Sequence, residues 1–493
     1  MQAKRLLAML MAAILTATAL TGCGADTKET TADTTTSGGD PTTPVETETE
    51  YTLWQDLPKE DLAGFDFKII EMLPRADAGA DSPHGDVEEL TGEAINDAIY
   101  NRNRAVEDTF NCIISDEVTT WGNAVKTLEQ CVTAGDDIYS LAMDAPGSTI
   151  YYMLRNIMLN LYDLPNLNLS NPWYLQQQVE DFTILDKLFL FMGDISYSTL
   201  MFGSSLVYNT TLAEKFDLPD IFDIVLEEQW TLDKMYEITG GMALDLNGDD
   251  QFKAEDDQFG IVVGDYTHLM NYQFTCDSNF ITYDKATKTF VDTFDIEKVS
   301  TIVEKVNKLF YDDNRGLMDG NYIDIFHEGR SLIRSAYVGS LVAHQDMEDS
   351  FTPIPYPKFD LEQEHYQSMM TGSVQVMTVP NTVTNRAAVG LIIEALSEAS
   401  HGDLMDAVYE KVLSYQTMRS EKASAVLKLI HESLIVDFGY LTVNGGQPNE
   451  MNWVVGALVD KKSTDVASYY AARKNAVAQY FGDMLETFKT LGE

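Results

Sequence analysis

From residue 65 onward the chain alternates short β-rich runs with longer stretches of helical periodicity, and that alternation limits it to an α/β architecture. Residues 65–72 (FDFKIIEM) read as a strand bounded by Gly64 and Pro74. Over 94–110, Ile95, Ala98, Ile99, Val106 and Phe110 fall on or near one helical face. A strand over 112–118, a helix over 124–133 and a strand over 138–143 complete a βαβαβ unit. Further strands are expected at 188–193 (LFLFMG), 205–208, 331–337 and 374–379, the last stopped by Pro380. Helices are expected over 231–244, 300–311, 387–399, 405–417 and 462–491. Trp230 and Met235 take the positions of a hydrophobic staple around a Thr231 N-cap. No internal repeat is visible, which sets solenoids and propellers aside.

The amino terminus has a different character. Lys4 and Arg5 precede an apolar run over 6–20 that only Thr16 and Thr18 interrupt, closed by Leu20-Thr21-Gly22-Cys23. Such a run suits a signal-peptide core and is short for a membrane span, which needs roughly 20 residues. Small residues before a cysteine resemble the bacterial lipobox, in which the thiol is acylated and cleavage leaves Cys23 first. Residues 1–22 are therefore expected to be a lipoprotein signal, with Cys23 lipidated and the protein held on the outer face of the cell membrane. Residues 24–50 are rich in Thr, Asp, Glu and Gly, with Ala25, Ala32 and Val45 as the apolar exceptions. That composition cannot offset its ordering entropy and reads as a flexible stalk.

The chain has 78 acidic residues against 33 basic ones, a formal charge of −45, which argues against nucleic acid and anionic lipid headgroups as partners. With Cys23 assigned to lipid, Cys112, Cys131 and Cys276 remain, without C-x-x-C or zinc spacing. A Cys112–Cys131 bridge is one reading and buried free thiols the other. The seven histidines form no H-E-x-x-H motif, and there is no P-loop or G-x-S-x-G.

Several stretches in order resemble the extracellular solute-binding proteins of ABC importers, in particular the carbohydrate-binding family that includes the maltose-binding protein. The first is Val207-Tyr208-Asn209 leading through Leu212, Lys215 and Leu218 to Trp230-Thr231-Leu232-Asp233. The second runs from Asp245-Leu246-Asn247-Gly248-Asp249 to Asp256-Asp257-Gln258-Phe259-Gly260. Residues 326–337, the Phe351-Thr352-Pro353-Ile354-Pro355-Tyr356-Pro357 run and residues 374–399 follow. The likeness spans roughly residues 64–493, with unusual inserts around 144–187. It implies a two-lobed periplasmic-binding-protein-like fold with hinge crossovers and a ligand cleft between the lobes. Carried onto this chain, the crossings fall near 196–205, 366–374 and 417–420. Lobe 1 would be 64–198 plus 374–416, and lobe 2 would be 203–366 plus 418–493.

Sugar sites need flat apolar faces for the ring and planar polar groups for the hydroxyls, and ligands of open α/β sheets sit beyond the carboxyl ends of strands. By that rule Arg75, Trp121, Asp144 and Asp194 are the candidates on lobe 1, and Tyr337, Gly339 and Trp453 those on lobe 2. Trp173 reads better as a packed turn and Trp230 as the staple. Asp245, Asn247, Asp249 and the Gln251 carbonyl have the 1, 3, 5, 7 spacing of a calcium loop, with Asp256 at position 12. Asp250 stands where that loop wants glycine, so structural calcium and a solvated Asx-rich turn are both open.

The resemblance implies a non-enzymatic, monomeric receptor that closes on a small solute, first among them an oligosaccharide, and delivers it to the permease subunits without any required cofactor. An exported glycan-active hydrolase and a surface glycan receptor without transport are the rivals.

Overall fold

The computed structural model describes residues 52–73, 83–415, 420–443 and 450–492. Cys23, Arg75 and part of the third expected crossing lie outside them. In chain order the strands are Phe65–Met72 (β1), Cys112–Thr119 (β2), Leu141–Asp144 (β3), Ser204–Asn209 (β4), Phe259–Val263 (β5), Ile281–Asp284 (β6) and Thr289–Asp292 (β7). They continue with Gly316–Met318 (β8), Ser331–Tyr337 (β9), Phe351–Ile354 (β10), Ser368–Met369 (β11), Val376–Thr378 (β12) and Leu434–Ile435 (β13).

Two larger sheets hold nine of these strands, while β6 pairs with β7 and β11 with β13 in two-stranded sheets. The first has the order β12-β3-β1-β2, with β1 parallel to β2 and β3, and β12 antiparallel to β3. Its central strand buries Phe67, Ile69, Ile70 and Met72, the near-continuous apolar run that a strand covered on both faces requires. The second has the order β10-β4-β9-β5-β8, parallel from β9 to β8 and antiparallel from β10 to β9. This is the α/β, two-lobed periplasmic-binding-protein fold. No helix among the described residues is long and apolar enough to cross a membrane.

The chain passes from the first sheet to the second through residues 196–203 and returns through 370–375. These passages lie side by side: Gly203 bridges Met370, and Thr371 N donates to Phe202 O at 3.1 Å. A buried polar cluster ties both to β1. His84 Nδ1 lies 2.8 Å from Ser196 Oγ, which donates to Gln375 Oε1 at 2.8 Å. The Gln375 amide nitrogen in turn donates to Met72 O at 2.6 Å and to Glu71 Oε2 at 3.2 Å.

Several expectations need local correction. Residues 188–193 are buried but form no ladder, making single bridges from Phe191 to Met377 and from Gly193 to Tyr174. The helix expected over 231–244 is capped as read, with Thr231 Oγ1 accepting from Lys234 N at 3.2 Å, but stops at Ile238. Gly240-Gly241 follows, and Gly241 has φ +75°, a left-handed conformation that ends the helix. The helix expected over 462–491 divides into Val466–Ala471 and Lys474–Thr490. Cys112, Cys131 and Cys276 are unbridged, and burial pushes the Cys112 and Cys276 thiols up to about 12.

Candidate ligand cleft

Trp121 stands just past the carboxyl end of β2, where Gly122 adopts φ +73° and the helix Asn123–Ala134 begins. Asp144, at the carboxyl end of β3, builds that turn. Its Oδ1 accepts from Gly122 N at 2.9 Å and from Ala145 N at 2.7 Å, and its Oδ2 from Val125 N at 3.1 Å. The indole so presented is 51% exposed. Asp144 itself is fully buried, and burial raises its pKa against the pull of these amides.

On the second-sheet side, Tyr337 ends β9, paired with Ser204 of β4. Trp453 closes the short turn Met451–Trp453 ahead of the helix Val454–Asp460, which packs on Tyr266–Met270 and Ile296–Tyr311. Trp121, Tyr337 and Trp453 line one cavity of about 380 Å³. A neighbouring cavity of about 560 Å³ shares Trp121 and Gly372 with it and adds Tyr151, Tyr152, Arg155 and Tyr480. Arg155 lies over Tyr151, 4.5 Å from the ring centroid, and is paired with Glu129.

The smaller cavity also holds residues that sequence reasoning missed: Ser204, His268, Asn271, Tyr322, Ser335, Tyr356 and Tyr440. His268 and Asn271 follow the carboxyl end of β5, so the strand-end rule applied to 259–263 would have reached them. His268 Nδ1 is 2.6 Å from Ser335 Oγ, and burial lowers its pKa so that the imidazole is neutral at pH 7. Asn271 accepts from Ser204 Oγ at 3.2 Å and donates to Tyr356 Oη at 3.2 Å. The wall is thus a network of neutral donors and acceptors between aromatic faces, the chemistry that hydroxyl-rich ligands need.

Other candidates stand elsewhere. Asp194 faces His401, its Oδ2 2.6 Å from Nδ1, and lines neither cavity. Gly339 is buried in the 3₁₀ turn Val338–His344 and does not reach the cleft. Trp173 Nε1 donates to Glu394 Oε1 at 3.1 Å in a packed turn, and Trp230, fully buried, donates to Pro355 O at 3.0 Å. In the 245–257 loop, Asp245 accepts from Gly248 N at 2.6 Å and Asp250 N at 2.7 Å, and Asn247 from Asp249 N at 2.9 Å. Asp249 accepts from Gln251 N at 2.9 Å and pairs with Lys253 Nζ at 2.7 Å, while Asp256 accepts from the Asn247 amide at 3.3 Å. Among the described residues no group of three or more His, Cys, Asp and Glu is gathered as a metal site.

No protein-family model matches the chain, and no curated protein matches it in sequence. Among solved structures it is similar to UspC of Mycobacterium tuberculosis, at 11% identity and a TM-score of 0.53, over 84% of this chain and 100% of UspC. It is also similar to the GacH receptor of Streptomyces glaucescens (11% identity, TM-score 0.48, 87% of this chain and 99% of that one). A third is the ABC substrate-binding protein Lmo0181 of Listeria monocytogenes, solved with cycloalternan (10% identity, TM-score 0.47, 87% and 100%). The likeness to UspC shows the fold.

Proposed function

We propose that this chain is a membrane-anchored solute receptor, held through Cys23, that captures an oligosaccharide between its lobes and delivers it to an ABC permease. One observation carries the reading. Trp121 from the first-sheet side and Tyr337 and Trp453 from the second-sheet side line one cavity, so a ring held there has apolar faces on both sides. The lobes, 64–198 plus 374–416 and 203–366 plus 418–493, close because a ligand that touches both stabilises the closed state over the open one.

The hydrolase reading has less support. Glycoside hydrolysis takes a pair of carboxyl groups flanking the scissile bond. None of the described residues lining either cavity is Asp or Glu. No cofactor enters this mechanism. In the 245–257 loop the turn reading is favoured over calcium, because Lys253 already neutralises Asp249 and backbone amides occupy both carboxylate oxygens of Asp245.

Thermal-shift screening against a glycan panel tests the receptor reading. A ligand that binds only the folded chain adds about 2.7 kcal/mol at 100 times Kd, an increase in melting temperature that is readily measured. A panel in which no glycan raises the melting temperature, or in which a bound glycan is turned over, contradicts it.

A further inference from the structure

Four Lys and Arg side chains are buried among the described residues: Arg102, Arg315, Arg334 and Lys358. A buried charge requires compensation, and three of the four have it from carboxylates. Arg315 pairs with Asp313 at 3.1 Å, Lys358 reaches Glu228 at 3.5 Å, and Arg102 feels Asp86.

Arg334, on β9, is different. Its Nε donates to His344 Nε2 at 2.6 Å, one terminal nitrogen to Ser335 O at 2.9 Å, and the other to Ser340 O at 3.0 Å. These neutral acceptors satisfy its hydrogen bonds but not its charge. The ionisable groups that favour its cationic form are the phenols of Tyr322, Tyr337 and Tyr356, with no carboxylate among them. His344, as the acceptor from Arg334, is held neutral, its pKa lowered to about 2 by burial and by the guanidinium.

Tyr322, Tyr337 and Tyr356 all line the 380 Å³ cavity, and the Arg334 guanidinium carbon lies 5.9 Å from the Tyr322 ring centroid. An uncompensated positive charge therefore stands one side chain behind the cleft wall. The described lining of that cavity includes no Asp, Glu, Lys or Arg, in a chain where acidic residues outnumber basic ones by 78 to 33. The carboxylate that acts on His268, Asp265, is outside the lining and accepts from Thr267 N at 2.8 Å. The protein is acidic overall, but the described lining of this cavity carries no carboxylate, and the Arg334 guanidinium stands behind its Tyr322 wall.

We propose that the solute carries an anionic group, a uronate carboxylate or a sulfate ester on a sugar ring, and that this group sits against the β9 wall in front of Arg334. This rests on the glycan-receptor reading and narrows it to acidic glycans. The ligand supplies the counter-charge that the fold omits. Closure then excludes water and strengthens the attraction, because the same charges interact more strongly at lower dielectric.

The test is titration calorimetry of the full chain with uronate-containing, sulfated and neutral oligosaccharides of matched length. One of the acidic classes is expected to bind at least about tenfold tighter than its neutral counterpart, about 1.4 kcal/mol. That preference should shrink as NaCl is raised from about 0.01 M to about 1 M, where the screening length falls from about 30 Å to about 3 Å. Which class binds distinguishes carboxylate from sulfate. Replacing Arg334 endangers the fold, so the wall is probed at Ala336, which lines the cavity on the same strand. Ala336→Asp should weaken acidic-glycan binding at least about tenfold relative to the isosteric Ala336→Asn, with melting temperatures compared to show that both fold. Neutral glycans binding as tightly as acidic ones, or equal acidic-glycan affinity in the two variants, overturns the proposal and leaves the receptor standing. A panel from which nothing binds overturns both.

Discussion

Replacing either Trp121 or Trp453 by alanine is expected to weaken ligand binding at least about tenfold. Ring stacking contributes on the order of 1 kcal/mol beyond the area it buries, and the buried faces add to that. One decade of affinity is about 1.4 kcal/mol, so each indole accounts for at least one. The two rings come from opposite sides of the cleft and face the same ligand, so the double variant is expected to lose at least as much affinity as the weaker single variant. Trp121 is 51% exposed, so its removal should leave the melting temperature of the free protein nearly unchanged. Trp453 packs partly against the core, and its loss should lower stability modestly. Calorimetry with a glycan from the thermal-shift panel measures the affinities. Unchanged affinity in both single variants would discard the aromatic clamp.

The second large effect concerns pH and stability. Glu71 is fully buried on β1 and accepts from Gly85 N at 2.8 Å and His84 N at 3.0 Å. Burial first, and then the neighbouring Asp116 carboxyl, raise its pKa to about 8. Glu71 is therefore held in its protonated form through neutral pH. In the unfolded chain it titrates near 4.5. Between these values the native state keeps a proton that the unfolded state has released, so stability falls as pH rises and levels off above the folded value. One such group contributes at most about 1.4 kcal/mol per pH unit. Glu71→Gln retains an oxygen for the two amides and a donor for Asp116, but does not titrate. Relative to wild type, the variant is expected to become steadily more stable from about pH 5 to about pH 8, measured by urea unfolding at each pH. Parallel stability curves would show that Glu71 is ionised in the fold. Gln375 donates to this carboxyl and Ser196 donates to Gln375, so Glu71 is hydrogen-bonded to the root of both crossing segments.

Where the pattern in the chain was strong, it located elements closely. Strand β1 and the helix Ala94–Phe110 fall at their expected limits because glycine, proline and an apolar stripe mark them. The run 188–193 was ambiguous for a physical reason. An apolar segment buried on all sides looks alike whether it pairs in a ladder or packs without one, and this one makes only single bridges. At the cleft, the strand-end rule reached Trp121 and Tyr337, because topology alone sets which ends of strands face a ligand. It could not tell what an acidic side chain at such an end turns toward. Asp144 turns onto backbone amides and Asp194 onto His401, and neither contact is encoded locally. Arg334 was invisible in the sequence for a related reason, since the absence of a carboxylate around it among the described residues is a property of five packed strands and their loops.

The central claim is that ligand binding closes two lobes over a cleft, and small-angle X-ray scattering of the full chain with and without a bound glycan tests it most directly. The account predicts that a glycan which raises the melting temperature also lowers the radius of gyration, because contacts to Trp121 on one side and Tyr337 and Trp453 on the other are satisfied together only when the lobes approach. A glycan that binds with full affinity while the radius of gyration stays at its ligand-free value would contradict closure.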